Sequence, residues 1–315
     1  YKGKGYKAVL KLIKNAEKVL LISATFLTKN NVDMFAPAFI SDVKFRAEFG
    51  WSFWKFAKEN ILFESKWVGT RTIQEPTKII ESAMEKYIRP CFYRVTYASA
   101  GIPEPKCVLQ TVFVSENKRI DKRIEDIKNS IGADVWSMDL EQLQKAIDSK
   151  ASWVTKAQQL VNSFEYIEES ATYYNFKEKI DLLKSVIDTE EGKGIVFYKY
   201  KAEQEQLQKE LGKSAMCWNG FHSIAEFENS NCSVLLCQQQ AVGEGIRFKY
   251  CTYIVEFSLQ FDFGLVKQGR GRLRYAGRTN PYKIFSFVLR NDFARQILSN
   301  LNRKSIESDT EGGKV

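Results

Sequence analysis

Apolar positions along the chain follow two rhythms. From about residue 176 onward, stretches with apolar residues three and four apart alternate with short continuous apolar runs. "FKEKIDLLKSVID" sets Ile180, Leu183, Val186 and Ile187 on one face and predicts a helix, "KGIVFYKY" predicts a strand, and "KAEQEQLQKELG" predicts a helix stopped at Gly212. "SAMCW", "CSVLLC", "TYIVEF" and "YKIFSFV" predict further short strands with helices or loops between them. Runs that are apolar throughout belong to strands covered on both faces, as in a parallel sheet wrapped by helices. The expected class for residues 176–303 is therefore α/β, a doubly wound parallel sheet, with a flexible tail at 304–315.

Residues 1–175 are less regular. "YKAVLKLIKNAEK" predicts a helix, "VLLISAT" one buried strand, and an aromatic, basic stretch follows, "FRAEFGWSFWKFAKEN". After the loop "AGIPEPK" comes another strand, "CVLQTVFVS", and then a long polar helical tract from about 117 to 166. A lone strand after a helix does not make a domain. Residues 1–30 read as the tail of an α/β lobe, and residues 31–175 as a mainly helical insertion with one or two strands.

Charge sharpens this division. The 315-residue chain has a formal charge of +9, and residues 1–128 hold 23 Lys and Arg against 14 Asp and Glu, which accounts for all of it. A polyanionic partner, nucleic acid or an anionic membrane surface, is expected. The membrane reading is disfavoured because no amphipathic helix shows a clean basic face. No run approaches eighteen apolar residues and the amino terminus carries no apolar leader, so a cytoplasmic protein is expected. Six cysteines without a C-x-x-C pair and a single histidine, His222, leave little with which to build a zinc site; reduced, mostly buried thiols are expected.

Three stretches invite chemistry. In "LLCQQQAVGEGIRF" a buried run leads to Gly243 and Gly245, either a tight turn or a place where backbone amides approach a phosphate or ribose. "QGRGRLRYAGR" at 268–278 packs four arginines and three glycines with no acidic residue. It reads either as a solvated basic face or as an anion site, and Gly269 and Gly271 favour the second, since each costs a helix about 1 kcal/mol. Trp51, Trp54 and Phe56, spaced with Lys55 and Lys58, form either a stacking and phosphate platform or the core of the insertion.

The order of these segments resembles the second half of the helicase superfamily two motor. "LLISAT" at 20–25 looks like its motif III, "GIVFYKY" like motif IV, "AVGEG" like motif V and "QGRGR" like motif VI in its Q-x-x-G-R-x-x-R form. Closer still is the Swi/Snf-type branch, in particular the remodeller-like ATPases carried by phages. "FGWSFW", "GIPEPKCVLQTVFV", "FYKYKAEQEQL" and "CWNGFH" fit that layout.

The resemblance implies a RecA-like second motor lobe whose motif VI arginine reaches ATP and Mg2+ held by a first lobe. Arg272 matches that arginine and Gln268 the motif glutamine. The second arginine falls on Tyr275, a departure, and Arg274 and Arg278 are the candidates to replace it. Gly243 and Gly245 are placed near the nucleotide, with Arg247 where an Asp or Asn usually stands. Ser23, Ala24 and Thr25 would couple the lobes. Lys199, Tyr200, Lys201, Asn219, Gly220, Gln238, Gln239 and Gln240 would meet the DNA backbone. Neither a G-x-x-x-x-G-K-[ST] loop nor an acidic D-E-x-H motif is present, and "YKGKGYKA" has the wrong spacing. The expectation is a carboxy-terminal fragment or separately encoded half of an ATP-driven DNA translocase that does not hydrolyse ATP alone. The alternative is a non-catalytic nucleic-acid-binding module derived from a helicase lobe. Arg247 and Tyr275 favour the alternative, whereas Gln268, Gly271 and Arg272 favour a working interface.

Overall fold

The computed structural model describes residues 9, 11, 13, 16, 19–21, 31–50, 52–68, 71–92, 95, 97–131, 152–167, 170–220, 222–242, 246–275 and 277–311. They fall into two compact units, residues 1–95 with 307–315, and residues 96–306.

The second unit is built on a parallel sheet. Strands Cys107–Val114 (β3), Lys193–Tyr198 (β6), Ala215–Cys217 (β7), Val234–Gln238 (β8), Cys251–Glu256 (β9) and Tyr282–Leu289 (β10) pair in the order β3-β10-β9-β6-β8-β7. Every pairing is parallel. Alternate residues of the central strands feed two cores, as a pleat requires. Val196, Tyr198, Val234, Leu236, Tyr253 and Val255 face helices Phe176–Thr189 (α6) and Lys201–Leu211 (α7), which bury Ile180, Leu183, Leu207 and Leu211 against them. Ile195, Phe197, Leu235, Cys237 and Ile254 point the other way, toward Phe227 of helix His222–Asn229 (α8) and the loop residues Val242, Ile246 and Phe248. Burial on both faces is what the continuous apolar runs require, and the doubly wound α/β architecture follows from it.

This unit begins well before residue 176. β3 is an edge strand of the same sheet, in register with β10 from Cys107 against Tyr282 to Val114 against Leu289. Helices Lys118–Ile131 (α4) and Ser152–Val161 (α5) bury Ile120, Ile124, Val154 and Leu160 in one core with Phe261, Phe293 and Ile297, alongside Phe263–Arg270 (α9) and Asp292–Glu311 (α10). The polar helical tract also ends sooner than expected. Phe164–Ile167 (β4) and Ser170–Tyr173 (β5) form an antiparallel hairpin after it. Val108, Leu109 and Phe113 of β3 stay 43%, 45% and 41% exposed.

The first unit packs short helices Phe35–Ser41 (α1), Val43–Phe49 (α2) and Phe53–Asn60 (α3) on an antiparallel hairpin of Ile61–Val68 (β1) and Arg71–Ile79 (β2). Asp42 caps α2 by accepting the Phe45 N–H at 2.7 Å, and Gly50, at φ 63°, ends it. Its core is aromatic: Phe35, Phe45, Phe49 and Phe56 lie ring against ring within 5.0 to 5.6 Å. The buried strand expected at "VLLISAT" is not seen at 19–21, which carry no strand structure and leave Leu20 83% exposed. A strand gains its stability from a ladder partner, and residues 19–21 pair with none among the described residues. The rest of that segment, with Ser23, Ala24 and Thr25, lies outside them.

The cysteines are more accessible than expected. Cys237 and Cys251 are buried, Cys91, Cys217 and Cys232 are half-buried, and Cys107 on the edge strand is exposed. Among the described residues no helix is long and apolar enough to cross a membrane, and no cluster of His, Cys, Asp and Glu could hold a metal ion.

Candidate nucleotide and nucleic-acid interface

In an open parallel sheet, ligands meet the carboxyl ends of the strands, where the winding reverses. Here the reversal is at β6, which neighbours β8 on one side and β9 on the other. The segments following β6, β8 and β9 meet there and are tied together by side chains. Gln238 donates its amide to the Lys199 carbonyl at 3.0 Å. Gln239 donates to the Leu265 carbonyl inside α9, also at 3.0 Å, while its backbone N–H bonds the Tyr198 carbonyl. Gly269 explains itself at this point: a Cβ there would lie 2.8 Å from Gln239 Nε2 and 3.3 Å from the Phe197 ring. Gly271 would meet nothing within 4 Å, so the close approach inferred from both glycines belongs to Gly269 alone.

Beneath the loop after β6 sits Glu203. Its Oε2 accepts the N–H groups of Lys199 at 3.2 Å and Tyr200 at 3.0 Å, and the Ser258 hydroxyl at 2.6 Å. Lys179 lies 3.8 Å from its other oxygen and donates to the Asn162 carbonyl. Burial draws the Lys179 ammonium down to about 8, Glu203 opposing. Sequence reasoning missed Glu203, although Y-K-A-E after a strand is a capping-box spacing that signals it.

The positions expected to meet DNA divide. Lys199 turns inward onto the Gln158 side-chain oxygen, which also accepts the Tyr200 hydroxyl at 3.3 Å, and burial draws Lys199 down to about 8. Lys201 is exposed and 3.8 Å from Glu205. The Asn219 N–H bonds Ser223 Oγ at 2.8 Å, Gly220 adopts φ 90°, and Gln240 and Arg247 are exposed. Gly243 and Gly245 lie outside the described residues.

The arginines of 268–278 have four distinct surroundings. Arg270, which sequence reasoning did not single out, grips Glu256 of β9 through two bonds of 2.7 and 2.8 Å, with Ser286 of β10 beside them. Burial opposes its charge but Glu256 outweighs that, so its proton is held more tightly than usual. No local pattern signals a pair drawn from separate elements. Arg272 is half-buried in the turn after α9, one Nη 3.5 Å from the Val242 carbonyl. Arg274 pairs with Glu104 and lies over the Tyr97 ring at 5.1 Å. Arg278 is 6% exposed, with its donors on the Cys251 carbonyl at 3.1 Å and the Asn280 carbonyl at 3.0 Å. Gln268 is half-buried on α9, and the Tyr275 hydroxyl reaches the Lys249 carbonyl at 3.5 Å.

No protein-family model matches the chain. The RNA polymerase-associated protein RapA of Serratia proteamaculans is 27% identical to it over 162 residues, 47% of this chain and 16% of that protein, so the match spans a small part of the relative. Among solved structures, the C-terminal part of the Fun30 ATPase domain is 14% identical with TM-score 0.41, covering 64% of this chain and 90% of that one. The Sulfolobus solfataricus SWI2/SNF2 ATPase core in complex with dsDNA is 14% identical with TM-score 0.42, covering 66% and 47%. The C-terminal domain of the DEAD-box protein Dbp5 is 20% identical with TM-score 0.34, covering 41% and 78%. The motif order read in the sequence resembles that of the carboxy-terminal half of Swi/Snf-type members of helicase superfamily two, and the segments read as motifs IV and VI lie on β6 and on α9 with the turn after it, in the unit built on the parallel sheet.

Proposed function

We propose that the chain is the carboxy-terminal half of an ATP-dependent DNA translocase. The observation that carries this reading is the stitching of three motif segments at one carboxyl rim, Gln238 onto Lys199 and Gln239 onto α9. Such ties link the three segments physically, which a motor needs if a change at the nucleotide is to be felt at the DNA. In this reading ATP and Mg2+ are held by a first RecA-like lobe, in cis or in trans. Arg272 faces the γ-phosphate, where a fixed guanidinium is worth about 10³ to 10⁵ in rate in related nucleotidases. DNA phosphates meet Lys201, Gln240 and the backbone at Gly220, and Arg247 lies toward the nucleotide. Lys199 and Tyr200 shape the loop from below.

The test is Arg272→Lys in the protein carrying both lobes. Lysine keeps the charge and loses the planar fork that can hold two oxygens. Single-turnover ATP hydrolysis with saturating DNA should slow at least about tenfold, roughly 1.4 kcal/mol of transition-state stabilisation, with DNA affinity almost unchanged. Full-rate hydrolysis would overturn the assignment.

One observation favours a second reading, a non-catalytic nucleic-acid-binding module. Both candidates for the second arginine are engaged within the protein, Arg274 with Glu104 and Arg278 with two backbone carbonyls. Absence of DNA-stimulated ATP hydrolysis from the wild-type protein carrying both lobes, with salt-sensitive DNA binding retained, would select it.

A further inference from the structure

The two readings of the aromatic stretch around residue 54 separate residue by residue. Phe56 is fully buried in the core of the first unit. Trp54, two positions earlier on α3, is 57% exposed. Its indole stacks on Phe63 of β1, ring centroids 5.8 Å apart and planes 14° from parallel, and Phe53 meets it edge-on at 5.5 Å. A helix and a strand thus fix the ring without covering it. Lys58 lies one helical turn after Trp54, exposed and with no acidic partner among the described residues. Lys55, also exposed, donates to the Glu48 carbonyl at 2.7 Å. Residues 1–95 hold 17 Lys and Arg against 9 Asp and Glu.

We propose that the Trp54–Phe63 ledge is a base-stacking site for single-stranded nucleic acid, with Lys58 beside it on a backbone phosphate. An indole clamped flat presents a π surface that any base can cover, and Lys55 and Lys58 on the same helix suit a polyanion. The apolar area is too small for a protein partner, whose interface takes about 800 Å² per side. One base needs no more than one ring. The inference stands on the first unit alone and is independent of the motor reading.

The test titrates the full chain with fluorescein-labelled oligo(dT), a duplex of equal length and an oligomer abasic at every sugar. Trp54→Ala should weaken oligo(dT) binding at least about fivefold, on the scale of one stacked base, while Trp54→Phe stays within about twofold of wild type. Duplex binding should not respond to either change, and the abasic oligomer should bind wild type and Trp54→Ala alike. Lys58→Gln should lower the salt slope on oligo(dT) by about 0.7. Equal loss on duplex and oligo(dT), an unchanged oligo(dT) affinity in Trp54→Ala, or a wild type that does not distinguish oligo(dT) from the abasic oligomer would each overturn the proposal. Duplex binding that fails while these results hold would count against the motor reading only.

Discussion

Glu203 shows how much rests on one carboxylate. It satisfies two backbone N–H groups and a hydroxyl in the loop that joins β6 to α7, and it is the counter-charge of the buried Lys179. Removing it leaves the Lys179 charge buried without its counter-charge and takes the acceptor from the Tyr200 N–H, so Glu203→Ala should lower stability in urea by roughly 3–5 kcal/mol, the scale of breaking a buried pair. The double variant Lys179→Met with Glu203→Leu should recover part of that loss, because two desolvated charges leave together. A double variant no more stable than Glu203→Ala would show that the backbone bonds, rather than the charge pair, carry the effect. At this scale the sequence was legible where structure is local: Lys201 is exposed at the start of α7 and Gly212 ends it. Lys199 was misread because its inward partner, Gln158, is 41 residues away. Exposure of a lysine cannot be judged from its neighbours in the chain.

Among the elements, the strands of the second unit from β6 onward were written in continuous apolar runs, and their helices in spacings of three and four. The β1–β2 hairpin was obscured by its aromatic and basic content, although "ILFESKWV" and "RTIQEPTKI" are strand-length runs meeting at Gly69. β3 was recognised as a strand, but its membership in the sheet depends on β10, which lies far along the chain. Sheet register imposes a demand that no local pattern states. Gly194 of β6 sits opposite Tyr253 of β9, and a Cβ on it would fall 2.1 Å from that buried ring. Gly194→Ala should therefore cost at least about 2 kcal/mol by overpacking, read as a lower melting temperature. Tyr253→Phe should be neutral or stabilising, since the hydroxyl has no partner among the described residues. A Gly194→Ala variant as stable as wild type would mean that the strands slide past each other to make room.

For the whole molecule, the proton balance of buried groups sets behaviour in alkali. Burial pushes the Cys251 thiol up to about 12 and raises the Tyr253 and Tyr282 phenols above their ordinary 10.0. The folded chain keeps protons that the unfolded chain releases, so this contribution is full below the ordinary values of 9.0 and 10.0 and is lost as pH climbs beyond them. Lys179 and Lys199, drawn down to about 8, act in the opposite sense and offset part of the loss only up to their ordinary 10.5. Stability in urea should fall steeply above about pH 10, and the part of the tyrosinate absorbance that is missing from Tyr282→Phe should rise in the same step as unfolding. That part of the absorbance rising well before unfolding would show the Tyr282 phenol to be accessible.

β3 offers an open edge to a second polypeptide in concentrated solution. It bonds to β10 on one side, has no strand on its other side among the described residues, and shows water Val108, Leu109 and Phe113. Peptide groups left without a ladder partner beside apolar side chains are what a second polypeptide can extend, and natural edge strands usually blunt this with charge, proline or a bulge. Lys106 stands just before β3 and charged residues return only from Glu116, so "CVLQTVFV" itself is without a guard. Self-association at high protein concentration is therefore expected to run through this edge, and to depend on it more than on the strength of the core.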